Sequence, residues 1–454
     1  MNNDTFLNAL ETRFKLNPAD ARLLIVGLGA TGYSAAQFLQ ATPIKFAVID
    51  SRSNPPQIDS LREQMPDVPV FCGGFDQSAF DVATHLLISP GVSLNEKAIR
   101  RAVQTGVIVM SDIDLFACAT DKPIIGITGS NGKSTVTTML GDMGSAAGFK
   151  TAIGGNLGTP ALDLLKQDAD LYVLELSSFQ LERTTALNAS AATVLNVSAD
   201  HLDRHDGMAG YAEEKQRIFR GDGVMILNAD DAMVMAMQDS RRTCFTFSVQ
   251  QTADFYLQRG EVDRIMQGDQ ALMNTTDLNL EGSHNIANAL AALALGHAMG
   301  MDINAMCRAL RKFKGLPHRM QKVADIQGVR WVNDSKATNI GACVAALNGY
   351  DRKVILIAGG DAKGADMTEL APVVQVKAKA VILMGKDASV IDQAINHSVP
   401  THFAGSMKQA VNIAAGLAQA GDSVLLSPAC ASLDQYKSYA DRGNQFTEAV
   451  LELI

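Results

Sequence analysis

The sequence predicts an α/β chain of three consecutive domains. The outer two are expected to be Rossmann-like, and the central one a P-loop ATPase-like parallel sheet with helices. Three observations carry this. Short apolar runs of strand character alternate with helix-like stretches along the whole chain, the order that builds parallel sheets with crossover helices. Two glycine loops each follow such a run directly, and the second carries a lysine. At 454 residues the chain is too long for one core and suggests about three domains.

The first block, residues 1–120, has strand-like runs at 22–26, 46–49, 85–88 and 107–110 and ends in the polar segment 119–123. Gly-Leu-Gly-Ala-Thr-Gly (27–32) follows the first run and Asp50 closes the second, as a dinucleotide fold requires. Such a loop at a helix N-terminus favours a pyrophosphate, and the downstream acid offers acceptors to a ribose or a base N–H. A nicotinamide dinucleotide and a UDP-linked ligand meet both conditions equally well, and a purely structural turn is a third reading.

The second block, 121–316, opens with Pro-Ile-Ile (123–125) running into Gly-Ile-Thr-Gly-Ser-Asn-Gly-Lys-Ser-Thr (126–135). The order is strand, phosphate loop, helix. Backbone N–H groups of Gly129, Ser130, Asn131 and Gly132 can surround an anion, Lys133 can add charge on the outer phosphates, and the Ser134 hydroxyl can ligate Mg2+, with Thr135 next to it. The common spacing would put its first glycine at Ile127, so this loop is a variant; the expected ligand is a nucleoside triphosphate. The run 170–174 ends in Glu175, whose carboxylate at a strand end faces the same crevice and suits Mg2+. Further runs lie at 192–195 and 223–227, and the block closes on the helical 289–295 and the turn Lys-Gly-Leu-Pro-His (314–318).

Other polar residues of this block read in more than one way. His201 and His205, four apart, admit a zinc pair, one histidine assisting Mg2+, or ordinary loop positions; the zinc reading lacks both an H-E-x-x-H order and a nearby cysteine. Lys215, set among glutamates, reads by itself as a solvated helix face. Asn285 and Asn288 read equally as helix caps and as partners of an adenine edge.

The third block, 317–454, has runs at 329–332, 354–357, 381–384 and 423–426, and like the first it can form a doubly wound sheet. Asp334, Lys336 and Thr338 lie just past the first of these runs. Lys363 in Gly-Gly-Asp-Ala-Lys (359–363) and Ser432 in Ser-Pro-Ala-Cys-Ala-Ser (427–432) occupy the same place after later ones. Arg319, just past the turn at 314–318, can carry a guanidinium to the triphosphate from the neighbouring domain. Recurrence of such groups at strand ends points to a substrate site.

Composition narrows the function class. Hydrophobic residues make up 47% and charged residues 19%, ordinary for a soluble α/β protein. The net charge of -9 argues against a general nucleic-acid or anionic-membrane binder. Six widely spaced cysteines without a C-x2-C pair indicate neither a zinc ribbon nor a disulfide framework. No apolar run reaches transmembrane length and the N-terminus has no signal-peptide pattern, so a cytoplasmic enzyme without membrane insertion is expected.

Taken together, Thr-Gly-Ser-Asn-Gly-Lys-Ser-Thr (128–135), Leu-Glu-Leu-Ser-Ser-Phe-Gln (174–180), Asp-His-Leu-Asp-Arg-His (200–205), Gly-Ser-His-Asn-Ile-Ala-Asn (282–288) and Leu-Pro-His-Arg (316–319) resemble the Mur ligases, which build the bacterial cell-wall peptide. Asn-Asp-Ser-Lys-Ala-Thr-Asn (333–339) and Ser-Pro-Ala-Cys-Ala-Ser-Leu-Asp-Gln-Tyr (427–436) resemble the branch that attaches D-glutamate. The resemblance spans nearly the whole chain in the right order.

It implies ATP-dependent amide formation between UDP-N-acetylmuramoyl-L-alanine and D-glutamate through an acyl phosphate, with two Mg2+ ions, in a monomer. It assigns Ser134 and Glu175 to one Mg2+, His201 to the second, and Lys215, as a carbamate, to support of the second, which replaces its solvated reading. Lys133, Glu175, His201 and Lys215 form the implied catalytic set. Asn285, Asn288, Arg319 and Asp334 would contact ATP. The first glycine loop passes from NAD to UDP, with Ala30, Thr31, Asp50, Ser51, Arg52 and Gly91 at the uridine and phosphates, and Asn156, Ser177 and Gln180 along the sugar and lactyl part. D-glutamate would sit against Lys336, Thr338, Lys363, Ser432, Leu433 and Tyr439. Ser51 stands where some relatives carry threonine, and Tyr439 where phenylalanine is expected. With ATP and amino-acid sites on different domains, the turn at 314–317 is expected to act as a hinge for closure.

Overall fold

A computed structural model describes residues 3–200, 204–280, 282–350 and 352–454. Three sheets follow one another along the chain. The first is wholly parallel, with strands ordered Val70–Cys72, Phe46–Asp50, Leu23–Val26, His85–Ile88, Ile108–Met110. Its strand order reverses between Leu23–Val26 and His85–Ile88, which opens a crevice at their carboxyl ends. The two central strands are buried at every position, as expected for a sheet covered by helices on both faces.

The second sheet has nine strands in the order Gln270–Asn274, Arg264–Gln267, Phe255–Gln258, Cys244–Ser248, Val224–Asn228, Ala191–Val194, Ile124–Thr128, Leu171–Glu175, Thr151–Gly155. Ile124–Thr128 sits between Ala191–Val194 and Leu171–Glu175, parallel to both, so the loops after all three open on one rim. The sheet departs from the wholly parallel expectation at one edge, where Phe255–Gln258, Arg264–Gln267 and Gln270–Asn274 pair antiparallel. Those strands mix exposed polar and buried positions and lack the continuous apolar run that marks the central ones.

The third sheet is ordered Gln321–Ile326, Val329–Asn333, Ser423–Leu426, Val354–Gly359, Ala378–Met384, Thr401–Phe403, parallel except for the antiparallel first pair. All four strand-like runs expected in this block are strands; the two edge strands are additional, and both are polar and half-exposed.

The cores are not divided as the sheets are. One cluster of buried side chains runs from Phe6, Leu10 and Leu16 through Leu23, Ile25 and Phe116 to Leu162, Leu174 and Met225, uniting the first block with one face of the second sheet. The third sheet packs on clusters of its own. The N-terminal helix Asn3–Phe14 contributes to this union: Phe6, Leu10 and Phe14 are buried, Phe6 meets Phe38 edge-on at 5.4 Å, and the Arg13 guanidinium donates to the Ala186 carbonyl at 3.0 Å. Burying each such apolar side chain is worth about 1.5–3 kcal/mol. A single hydrogen bond adds about 0.5–1.5 kcal/mol net. Apolar burial therefore dominates the anchoring of this helix. Leu10→Ala, at a position with no exposure, is expected to lower stability by about 2–5 kcal/mol in urea titration, with probes in the first and second blocks losing their signals together.

Candidate active site

The phosphate loop follows Ile124–Thr128 and opens into the helix Lys133–Ala146, whose N-cap is Gly132. Gly129 (φ 151°) and Gly132 (φ 88°) take backbone conformations that a side chain would strain, and a Cβ at Gly132 would lie 2.4 Å from the Asn288 side-chain oxygen. The loop is braced from the next strand's exit. Asn131 N–H donates to Asn196 Oδ1 at 2.9 Å, Ser130 N–H to the Asn196 carbonyl at 3.0 Å, and Ser130 Oγ to the Ser198 carbonyl at 3.0 Å.

A half-buried lysine and a fully buried one meet at this loop. Lys133 Nζ donates to the carbonyls of Gly129 at 2.7 Å and Ser130 at 2.9 Å, while Lys215 Nζ donates to the same Gly129 carbonyl at 2.9 Å and lies 4.2 Å from the Tyr211 ring centroid. Lys215 is 1% exposed, so the solvated-face reading is overturned: its helix, Gly207–Gln216, turns this position inward. Burial first, and the neighbouring Lys133 second, push the Lys215 ammonium well below its usual range. Burial also lowers Lys133. An amine held neutral is the form that reacts with CO2, so this environment fits a carbamate.

Glu175 ends Leu171–Glu175, next to the loop strand. Its Oε1 accepts from Asn156 Nδ2 at 2.6 Å, whereas its buried Oε2 has no partner. An orphaned carboxylate oxygen beside a phosphate loop is what a Mg2+ ligand looks like without its ion. The donor set of carboxylate, hydroxyl and a potential carbamate is all oxygen and suits that hard cation. His201 lies outside the described residues. His205 is engaged elsewhere, at 3.0 Å from Ser178 Oγ and stacked on Phe179, which gives no support to a zinc pair. Among the described residues no cluster of three or more His, Cys, Asp or Glu side chains is gathered for a metal.

Arg319 crosses from the third block and donates to Ser134 Oγ at 3.0 Å. It is flanked by His318 (φ 63°) and Met320 (φ 46°), two non-glycine residues in left-handed conformations that turn the chain toward the loop. Asp334 secures that turn: it accepts from Met320 N–H at 3.2 Å and from Ser427 Oγ at 2.9 Å. A cavity of about 330 Å³ lies between the two blocks, lined by Asn131, Gly132, Asn285, Asn288, Arg319 and Asp334 among others. Asn285 and Asn288 are buried and bond each other at 3.4 Å; the helix Ser283–Ala298 is capped by Gly282 without a side-chain bond, so the capping reading gives way. His284 lines the same cavity with Nδ1 buried and unpartnered, its pKa brought down to about 4 by burial and then by Arg319. Sequence reasoning passed over it, though it stands between Ser283 and Asn285 in a quoted motif.

The first sheet's site residues cluster at its crevice. Ala30 and Thr31 open the helix Ala30–Gln40. Asp50 accepts from Leu28 N–H at 2.7 Å and is gripped by Arg52 at 2.6 Å; burial raises its pKa, but those bonds more than offset it and hold the carboxyl below its usual range. Ser51 and Gly91 are exposed on the same rim. Ser177 and Gln180 form a capping box on the short helix Ser178–Leu181. In the third block, Thr338 and Lys363 line a second cavity of about 520 Å³, whereas Ser432, Leu433 and Tyr439 do not line it. Ser432 is buried, Leu433 is 73% exposed, and the Tyr439 ring lies 3.9 Å from Lys336 Nζ. Burial, with Arg319 adding to it, brings Lys336 down to about 8. Asn339 Nδ2 bridges back to Asp200 at 3.0 Å, a second tie between blocks.

Models of three protein families match along the chain: "Mur ligase MurD-like, N-terminal domain" over 21–111, "Mur ligase middle domain" over 127–296 and "Mur ligase, glutamate ligase domain" over 318–430. A UDP-N-acetylmuramoylalanine--D-glutamate ligase of Methylococcus capsulatus is 52% identical over 436 residues, covering 95% of each chain. The chain belongs to the Mur ligase family. The enzyme of the same name from Pseudomonas aeruginosa is 48% identical over 439 residues, covering 95% of this Mur ligase and 98% of that protein. Among solved structures, a pseudomurein peptide ligase type C from Methanothermus fervidus shares the fold at TM-score 0.63 and 18% identity, covering 96% of this chain and all of the other. A UDP-N-acetylmuramate-alanine ligase from Thermotoga maritima does so at 0.60 and 16%, covering 95% and 100%.

The Asp334 carboxyl of this Mur ligase is raised by burial to about 7, against an opposing pull from Ser427, Met320 and Arg319. Since the folded value exceeds the unfolded 3.8, its stability contribution is complete below about pH 4 and is lost as pH rises through about 7. Thermal unfolding of Asp334→Asn is expected to show a flatter pH dependence than wild type across that window.

Proposed function

We propose that this chain joins D-glutamate to UDP-N-acetylmuramoyl-L-alanine, using ATP to convert the alanyl carboxylate to an acyl phosphate. The observation that supports it most directly is the convergence of three cationic side chains, Lys133, Lys215 and Arg319, on the phosphate loop, beside a carboxylate with a free buried oxygen. The family membership and the D-glutamate ligase names of the relatives support the same reading. Blocks 1–120, 121–316 and 317–454 serve as the UDP-substrate, ATP and amino-acid domains.

A carboxylate is a poor acylating agent, and a phosphate leaving group remedies that. With the Ser130 and Asn131 N–H groups held by Asn196, the N–H of Gly132 and the helix start at Lys133 would receive the phosphate oxygens, and the Lys133 ammonium would swing from its carbonyl partners onto them. Arg319 brings a second positive group from the third block, linking ATP occupancy to closure about the 314–317 turn. Asn285, Asn288 and His284 are placed to meet the base. Ser134, Glu175 and carbamylated Lys215, together with His201, would hold Mg2+, whose charge would offset that on the transferring phosphoryl. The D-glutamate amine attacks the acyl carbon and phosphate departs; Lys336, Thr338 and Lys363 set cationic and hydroxyl groups around the incoming carboxylates. The enzyme acts as a cytoplasmic monomer.

Phosphate release with Mg2+, ATP and UDP-N-acetylmuramoyl-L-alanine is expected with D-glutamate and not with L-glutamate, L-alanine or L-lysine, with the UDP-dipeptide confirmed by mass. Absence of release with every amino acid tested would sink the reading. Lys215→Met is expected to lower turnover by roughly a hundredfold or more while leaving ATP binding within a few-fold, as loss of a group acting on transition-state charge does. Native mass spectrometry should find bound CO2 on wild type and not on this variant.

A further inference from the structure

We propose that Arg183 is a positioning residue for the UDP-linked substrate: from the central block it clamps the loop 89–92 of the first block in the conformation that completes the nucleotide crevice. This rests on the assignment of that crevice to the UDP moiety made above.

Arg183 follows the helix Ser178–Leu181, and its side chain is wholly covered. Its Nη1 donates to the carbonyl of Ser89 at 2.6 Å and to that of Val92 at 3.2 Å, and Nη2 pairs with the Glu182 carboxylate at 2.9 Å. Among the described residues, no other side chain of the central block hydrogen-bonds this loop. The contacts continue inward. Ser89 Oγ donates to the Gly27 carbonyl at 3.0 Å and Ser89 N–H to the Val26 carbonyl at 2.9 Å. Gly27, at φ 98°, takes a conformation that a side chain would strain, and a Cβ there would press on Ser89 and Val92 at 3.0 Å. A single guanidinium thus holds the loop after His85–Ile88, and that loop holds the first turn of the glycine loop after Leu23–Val26. These two loops flank the point where the strand order reverses, where an open α/β sheet takes its ligand.

The arrangement suits arginine in particular. One planar fork spans two carbonyls and a carboxylate, a geometry that a lysine ammonium does not reproduce. Arg183 acts through the loop and touches no reacting atom. If the loop holds its binding shape for only a fraction of the time, apparent affinity falls by that fraction, with no change in the chemistry once substrate is bound. Arg13 provides the contrast: it also joins the two blocks, through the Ala186 carbonyl, but at a distance in sequence and contacts from the 89–92 loop.

The test is calorimetric titration of UDP-N-acetylmuramoyl-L-alanine and, separately, of ATP with Mg2+, into wild type, Arg183→Met, Arg183→Lys and Arg13→Met. Arg183→Met is expected to weaken UDP-substrate binding roughly tenfold or more. ATP affinity and kcat at saturating substrate should stay within about twofold. Arg183→Lys should fall between, and Arg13→Met should lower Tm with UDP-substrate affinity unchanged. Wild-type UDP-substrate affinity in Arg183→Met overturns the inference, as does equal weakening of both ligands in step with lost stability. Should Arg183→Met not fold, Arg183→Lys carries the same comparison, with amide exchange at 89–92 expected to quicken; unchanged exchange and affinity overturn it. If wild type itself fails to bind the UDP-substrate, the crevice assignment falls and takes this inference with it, a result distinct from a binding-competent Arg183→Met.

Discussion

Buried positive charge at the phosphate loop is the constraint on which the rest of the molecule turns. Lys133 and Lys215 both donate to one carbonyl, that of Gly129, and Arg319 arrives at Ser134 beside them. Desolvated cations without full compensation are unfavourable, and protein carbonyls offer only partial relief. Glu175, Asp200 and Asp334 offset part of that charge, and a polyphosphate or an acidic carbamate would add to the compensation. The depressed Lys215 ammonium is one local answer to the remaining charge, because a neutral amine removes one of the like charges.

Holding those charges together requires a stiff frame. The phosphate loop is fastened through Asn196 and Ser198, and the strand bearing Glu175 lies against the strand that feeds the loop. The shared core of the first and second blocks extends that frame to the crevice of the first sheet, with the N-terminal helix packed into the same cluster. The third block has its own cores and meets the others through polar ties such as Arg319 to Ser134 and Asn339 to Asp200. Apolar cores are hard to separate, whereas hydrogen bonds across an interface exchange readily with water and ligand. The division of labour follows: two blocks build one platform, and the third delivers an arginine to it.

The legible part of the site and fold was the part written in short, contiguous patterns. Fully buried strands such as Leu171–Glu175 and Val354–Gly359 show as unbroken apolar runs, while the polar edge strands Gln321–Ile326 and Thr401–Phe403 do not, because an edge needs only one covered face. Gly129, Gly132 and Lys133 announce themselves because a phosphate loop is a local object. Lys215 did not: its neighbours are glutamates, and only the packing of Gly207–Gln216 against Tyr211 and Gly129 reveals an interior position. Asn285 and Asn288 were undecided for the same reason, since capping and ligand-lining differ by what faces the helix from elsewhere. Arg183 belongs to no glycine loop and no strand-end motif, and its role depends on a loop 94 positions away.

By itself the sequence determined the buried central strands of each sheet, the phosphate loop, the acid at the end of its neighbouring strand and, through motif resemblance, the Mur ligase family, because each depends on residues close along the chain. The tertiary structure alone decided which lysine is buried, that the first two blocks share a core, and that Arg319 reaches Ser134 from another sheet. Burial and long-range contact are properties of how distant segments meet, and no local pattern of residue types encodes them.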